Sequence, residues 1–257
     1  MEINKVYNID CIEGMKELPD KSIDFILTDL PYNITAAKFD KTAIPLDKMW
    51  EQFNRVVKDE GAIALFGQEP FTSKLVMSNI KNFRFKLTWL KQRGSSFQLA
   101  NYQPLRVTED IIVFSNAKAC YTRKGVTMTY NPQMIKREKP RKANAKIYGK
   151  NRLLHNYNTK DNFKTYDYRH PTSILRFNTV SKNTLHPTEK PIDLLKWLIK
   201  SFTNDVNADA STPIVLDSCA GAGSTLLAAK QLGRNYIGYE IDEHFCNIAE
   251  ARINEDK

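Results

Sequence analysis

The chain has little with which to staple itself or to enter a membrane. Its four cysteines, Cys11, Cys120, Cys219 and Cys246, are scattered through 257 residues with no Cys-x-x-Cys pair. That spacing argues against a zinc cluster or a disulfide framework, so no metal is expected and a reducing cytoplasm is the expected setting. No apolar run approaches the roughly 20 residues a membrane-spanning helix needs; Ala62–Phe66 is typical of the longest. The opening Met1-Glu2-Ile3-Asn4-Lys5 has no apolar h-region, so a secretory leader is not expected. There is no internal repeat. Acid is scarce in one place. Residues 116–183 hold 3 Asp/Glu against 16 Lys/Arg, a local charge of +13 in a chain whose net charge is +9. The rest of the chain therefore carries −4. Such concentration suits long-range attraction to a polyanion, although charge alone fits a solvated basic surface as well.

What is present is an ordinary globular mixture, 42% hydrophobic and 26% charged. A chain of this length can bury a full core, as one large domain or as a core with an inserted module. Ile23–Thr28 and Ala62–Phe66 read as buried strands. Pro45–Lys58 has helical spacing and is expected to end at Glu60-Gly61. Phe71–Ile80 reads as a helix, Phe83–Leu90 and Glu109–Phe114 as strands. Ile192–Phe202, Ser224–Leu232 and Glu243–Ile253 read as helices, and Pro213–Asp217 and Asn235–Glu240 as strands. Strands alternating with helices predict an α/β fold with a mostly parallel central sheet and helices on both faces. Between residues 116 and 183 the pattern decays into a loop-rich insertion with eight interleaved aromatics, from Tyr121 to Phe177.

Two loops carry chemistry. Cys219-Ala220-Gly221-Ala222-Gly223 joins a predicted strand to a predicted helix, where small residues let a ligand approach the backbone at a helix N-terminus. Glu240 ends the next strand, 17 residues after Gly223, where an acid accepts hydrogen bonds from ribose hydroxyls. A tight turn beside a surface glutamate is the plainer alternative. The dinucleotide fingerprint asks for a third glycine at position 226, and that residue is Leu226. A nicotinamide or flavin cofactor is thereby disfavoured against a nucleoside cofactor lacking a pyrophosphate. The second loop, Asp29-Leu30-Pro31-Tyr32, follows the strand Ile23–Thr28. A carboxylate there can accept from an amino group, and the Leu30 carbonyl can accept a second hydrogen bond. The Tyr32 ring can stack on a flat base, a contact worth ~1–3 kcal/mol. Taken alone, the tetrapeptide reads better as an aspartate capping a turn before a strand-ending proline.

Together these residues resemble the amino-methylating DNA methyltransferases that use S-adenosyl-L-methionine, in their β-type order, and among them small phage or prophage enzymes. Asp29-Leu30-Pro31-Tyr32 is similar to the family's Asp-Pro-Pro-Tyr. Asn8–Met15 and Leu18–Asp24 resemble the approach to it. His186-Pro187-Thr188-Glu189-Lys190-Pro191 resembles the element ahead of the cofactor strand. Cys219–Gly223 stands where the family has Phe-x-Gly-x-Gly, and Gly238–Asp242 resembles its acidic strand end. Catalytic motif first, variable region in the middle and cofactor loop last is the β-type order. The likeness covers residues 1–115 and 184–257. It departs at Leu30, which replaces a proline, and at Cys219, which replaces a phenylalanine.

The resemblance implies a Rossmann-like methyltransferase core over 1–115 and 184–257, with an inserted target-recognition region over 116–183. It implies catalytic roles for Asp29, Leu30, Pro31 and Tyr32. It implies cofactor contacts from Asp10, Cys11, Asp29, Thr188, Lys190, Asp217, Cys219, Ala220, Gly221, Gly223, Glu240 and Ile241. Arg123, Lys124, Lys136, Arg137, Lys139, Arg141 and Lys142 are the expected DNA contacts. The expected reaction is site-specific methylation of the N6 amine of adenine in double-stranded DNA after base flipping. N4-cytosine methylation, a structured-RNA substrate and a noncatalytic nucleic-acid-binding protein of the same fold are the alternatives. A homodimer and a cognate restriction endonuclease are partners the likeness allows.

Overall fold

The computed structural model describes residues 1–32, 44–118, 125–144, 163–180, 185, 189–206 and 211–256. They form two compact units, Met1–Asn131 with Ser173–Lys257, and Pro132–Thr172.

The larger unit is built on an eight-stranded sheet. Its strands are β1 (Lys5–Tyr7), β2 (Ile23–Thr28), β3 (Val57–Gly67), β4 (Phe83–Ser95), β5 (Arg106–Ser115), β8 (Ile174–Arg176), β9 (Ile214–Asp217) and β10 (Asn235–Tyr239). Their order across the sheet is β1-β10-β9-β2-β3-β5-β4-β8. The first five are mutually parallel, β5 runs against both β3 and β4, and β8 is parallel to β4. The expected mostly parallel sheet is present.

Alternation along the strands divides the core into two layers. Phe25, Leu27, Ala62, Ala64 and Phe66 pack with residues of α4 (Ile192–Phe202), α5 (Ser224–Gln231) and α6 (Glu243–Glu255). Ile23, Ile26, Ile63 and Leu65 pack with residues of α1 (Cys11–Lys16), α2 (Leu46–Val56) and α3 (Phe71–Ser78). A sheet apolar on both faces is what a doubly wound α/β protein requires.

One boundary differs from the sequence expectation for a clear reason. Helix α2 ends at Val56 and β3 begins at the next residue. Glu60-Gly61 does not end the helix but lies inside the strand. Ile23 pairs with Val57 while Phe25 pairs with Ala62, so the intervening residues of β3 bulge from the ladder. A glycine is needed in that bulge, because a Cβ on Gly61 would stand 2.8 Å from the Asp24 carbonyl oxygen. The polar pair is a bulge signal.

The smaller unit contains an antiparallel hairpin, β6 (Ile135–Asn144) with β7 (Phe163–Arg169). Here the loop-rich expectation is corrected. The charged run Lys136–Lys142 hid a strand because it carries no apolar alternation. Lys136 pairs with Tyr168 and Arg141 with Tyr166. The ladder is broken between them, where Pro140 has no N–H to donate. Residues 116–131 and 173–183, counted in the insertion by charge, fall with the larger unit where described.

Candidate active site

Three adjacent parallel strands, β10, β9 and β2, each end in an acid: Glu240, Asp217 and Asp29. Ligands of open α/β sheets bind at such strand ends. A cavity of about 420 Å³ opens there, and all three acids line it. That volume lies within the ~300–1,000 Å³ usual for small-molecule sites.

The cavity gathers most of the residues singled out from sequence. Asp10, Cys11, Asp29, Leu30, Pro31, Tyr32, Lys190, Asp217, Cys219, Ala220, Gly221, Glu240 and Ile241 all line it. Gly223 does not. It sits at positive φ against α6, where a Cβ would stand 2.9 Å from the Ala249 Cβ. Its glycine serves the turn and the helix packing. Thr188 and His186 lie outside the described residues, as do Arg123 and Lys124. Lys136, Lys139 and Arg141 are exposed on β6, and Arg137 donates from Nε to the Tyr168 carbonyl at 3.3 Å. Lys142 is placed in β6 by its backbone.

The glycine loop is braced by the acids beside it. Glu240 Oε2 accepts from the Gly221 N–H at 2.8 Å, and Oε1 from the Asp242 N–H at 2.9 Å. The Ile241 N–H also bonds this carboxylate, and three donors on its roughly four acceptor sites leave one for a ligand hydroxyl. Burial raises the Glu240 carboxyl above its usual range, against the pull of those N–H groups. Asp217 Oδ1 accepts from the Cys219 N–H at 3.0 Å. Burial pushes the Asp217 carboxyl up to about 6, opposed by hydrogen bonds from Thr225 and Cys219. The Cys219 thiol is hydrogen-bonded with the free thiol of Cys11, which with burial holds it well above the ordinary thiol range. Asp10 turns its Oδ1 to the Ile12 and Glu13 N–H groups, at 2.8 and 3.2 Å, and so caps α1.

Leu226 occupies the place of the missing third glycine, and β10 makes room for it. A Cβ on Gly238 would stand 2.3 Å from Leu226 Cδ1. The close approach of helix and strand is preserved with the small residue moved to the strand.

At the other end of the cavity Asp29 is held by two partners. The Tyr32 hydroxyl donates to Oδ1 at 2.7 Å, and the Lys190 ammonium donates to Oδ2. The Tyr32 ring packs on Phe71, with centroids 5.1 Å apart. Leu30 is only 3% exposed, so burial holds the loop where the family uses a proline ring. Lys190 lines the cavity, yet its ammonium stands between carboxylates, with Glu109 Oε1 at 3.1 Å. Glu109 also takes Lys91 at 2.6 Å.

The electrostatics follow from burial and these partners. Burial raises the Asp29 carboxyl; Lys190 pulls it down and Glu109 pushes it up, with a net rise. Burial would also raise Glu109, but Lys190 and Lys91 outweigh it and hold that carboxyl low. Burial would lower Lys190, and the two carboxylates reverse this, so it stays an ammonium. Burial, with Asp29 and Glu109 alongside, keeps the Tyr32 phenol protonated and a donor.

Sequence reasoning missed Glu109, Lys91, Glu189 and Arg252. Glu109 was read only as the start of a strand, though an acid heading the apolar run Ile111–Phe114 was a signal. Because β5 runs against β3, its beginning lies beside the carboxyl end of β3, at the edge where the three acids stand. Glu189 Oε1 takes Arg252 at 2.6 Å and lies 3.4 Å from Ser224 Oγ, pinning the segment before α4 to the start of α5.

An acid-tipped, doubly wound sheet with a glycine loop over one cavity defines a nucleoside-cofactor-binding α/β enzyme. The profile of the family described as DNA methylase, the N6/N4 amino-methylating group, matches residues 23–251. The chain belongs to that family and is a DNA methyltransferase. The type II methyltransferase M1.MboII of Moraxella bovis is 25% identical over 270 residues, covering 99% of this chain and 98% of its own. Among solved structures, the M1.HpyAVI–SAM complex has a TM-score of 0.60 at 21% identity, covering 96% of this chain and 98% of that one. PvuII DNA methyltransferase, cytosine-N4-specific, has a TM-score of 0.64 at 14% identity, covering 97% and 89%.

Proposed function

We propose that the protein methylates the N6 amine of adenine in double-stranded DNA, using S-adenosyl-L-methionine bound in the strand-end cavity. The observation that carries this reading is the shared lining of that cavity: Asp29, Leu30 and Tyr32 at one end, the Glu240-braced glycine loop at the other. The residues present suit the cofactor. Glu240 has an acceptor site for a ribose hydroxyl, Ile241 and Ile9 offer apolar surface to an adenine ring, and Asp10 adds a carboxylate at the same end. Bound there, S-adenosyl-L-methionine supplies an electrophilic methyl group.

The chain's own residues do the rest. An exocyclic amine inside a duplex is out of reach, so the base is flipped out. Asp29 accepts one of its N–H hydrogens and the Leu30 carbonyl the other. Both bonds draw the nitrogen lone pair out of conjugation and steady the positive charge that develops on it. Tyr32 offers its ring to the base and keeps Asp29 aimed through its hydroxyl. Asp29 favours adenine over cytosine, since the family's N4-cytosine members more often carry serine there. The basic unit of residues 132–172, with the rest of 116–183, reads the target: Lys136, Arg137, Lys139 and Arg141 meet phosphates, and Arg123, Lys124 and Lys142 carry the same expectation from sequence. A homodimer and a cognate restriction endonuclease fit the same reading, the latter because the relative M1.MboII is named a type II methyltransferase.

The test is to incubate the protein with S-adenosyl-L-methionine and unmethylated DNA of varied sequence, digest to nucleosides, and analyse by mass spectrometry. N6-methyladenine is the expected product. N4-methylcytosine alone would overturn the base assignment.

A further inference from the structure

Glu109 and Lys91 stand outside every motif that carries the family likeness, yet they bear on the catalytic carboxylate. Lys190 lies between Asp29 and Glu109. Glu109 lies between Lys190 and Lys91, at 3.1 and 2.6 Å, with the Tyr32 hydroxyl 3.3 Å away. The Glu109 side chain is 8% exposed and that of Lys190 10%. Asp29 is thus faced by Lys190 from the segment before α4, Glu109 from β5, Tyr32 from its own loop and Asp217 from β9. Lys91, on β4, faces Glu109. Among the described residues of the Asp29, Lys190, Glu109 and Lys91 chain, two ammonium and two carboxylate charges cancel.

We propose that Glu109, balanced by Lys91, is a positioning residue for methyl transfer: it shares the Lys190 ammonium and so keeps Asp29 aimed and available as the acceptor of the target amine. This rests on the functional reading above. Without Glu109, Lys190 would belong to Asp29 and compete with the substrate N–H for its oxygens. The excess positive charge would also oppose the reaction. As the amine nitrogen bonds to the methyl carbon, the carbon–sulfur bond breaks with its electron pair left on sulfur. The nitrogen becomes cationic until one of its protons leaves to Asp29 or water. With Glu109 in place the four-group chain sets no net charge against that cation; without it the chain carries a net positive charge that opposes the cation. A buried ion-pair chain that served stability alone would need the same balance, so the two roles are told apart by their effect on Asp29 and on turnover.

Glu109→Gln and Lys91→Met push in opposite directions, which separates the two roles. The Asp29 carboxyl is followed by carbon-13 NMR in the full-length protein, assigned with Asp29→Asn. The pH profile of kcat is measured at saturating cofactor and DNA. Glu109→Gln removes a negative neighbour, so the Asp29 titration and the acid limb of kcat should both move down by roughly one pH unit or more. Its plateau kcat should fall about 100-fold, the usual effect of a misplaced catalytic group, with the KM for S-adenosyl-L-methionine little changed. Lys91→Met leaves Glu109 less compensated, so both should move up. If the Asp29 titration and the acid limb stay put in the folded variants, Glu109 is structural and the proposal is overturned, even where kcat has dropped. Should Glu109→Gln fail to fold, the upward shift in Lys91→Met decides. A wild-type protein that puts no methyl group on DNA sinks the functional reading itself, and this shows before any variant is made.

Discussion

Asp29 and Lys190 lie 161 positions apart in the chain and are joined by a hydrogen bond at the cavity wall. The bond ties the loop after β2 to the segment that leads into α4. Through Glu109 it extends to the reversed strand β5. The acceptor proposed for the target amine is therefore held by three separate parts of the fold.

Asp29→Ala should abolish methyl transfer. Removing a group that stabilises developing charge costs about 100-fold or more in kcat. Binding of S-adenosyl-L-methionine, measured by calorimetry, should be largely kept, because the bracing of the glycine loop by Glu240 does not involve Asp29. Full turnover in this variant would overturn the mechanism.

Glu240→Ala should act on the cofactor instead. It removes the acceptor proposed for the ribose and frees the Gly221 N–H that the carboxylate now holds. Hydrogen bonds to charged groups are worth about 1.5–3 kcal/mol, so the Kd for S-adenosyl-L-methionine should rise by roughly 10- to 100-fold. An unchanged Kd would move the ribose site elsewhere.

Asp217 makes stability depend on pH. Its folded-state pKa, about 6, is above the ordinary 3.8, so the folded chain binds the proton more tightly than the unfolded one. Below the ordinary value the group costs nothing. As pH rises from 3.8 to about 6 the unfolded chain gains from ionising while the buried carboxyl keeps its proton, and stability falls, by at most roughly 3 kcal/mol. Asp217→Asn retains an acceptor for the Cys219 N–H and lacks this penalty. Urea unfolding should show the variant more stable than wild type at pH 8, with the gap closing by about pH 4. A gap that widens on acidification would reverse the assignment.

Gly238→Ala should be destabilising although glycine is a poor strand residue. The added Cβ would meet Leu226, which is fully buried, and overpacking of this kind costs ~1–3 kcal/mol. Adding Leu226→Ala should make the double variant cost less than the two single losses combined. Strict additivity in thermal unfolding would show that the two do not share the space.

Replacing Lys136, Arg137, Lys139 and Arg141 by alanine should weaken DNA binding across all sequences. If each neutralises one phosphate, the slope of log K against log salt should become shallower by about 0.9 per residue lost. Fluorescence titration at several salt concentrations measures this. An unchanged slope would remove the hairpin from the DNA contact surface.

Much of the α/β framework was legible in the chain because it rests on local pattern. The limits of β2 and α4 were read to the residue. Both are set by apolar spacing and by a proline or acid at the end, all of which lie next to one another in sequence. The Gly221 turn with Glu240 at the next strand end was equally local, since the close backbone approach demands small residues there. What sequence could not state is which elements become neighbours. The β6–β7 hairpin was hidden, because a strand whose run of charged residues is nearly all basic has no apolar period to betray it. Glu60-Gly61 misled for a related reason: a bulge exists only relative to the strand it pairs with. Gly223 is expected at the cofactor from its motif, and only the tertiary structure shows that its lack of a side chain is also needed against α6. Above all, Lys91, Glu109 and Lys190 come from three segments, and only strand order and direction bring their charges together beside Asp29. The chain alone specified the acids that tip the strands. Tertiary structure decided which ammonium each would face, because ion pairs buried away from water are formed by long-range packing and leave no periodic trace in sequence.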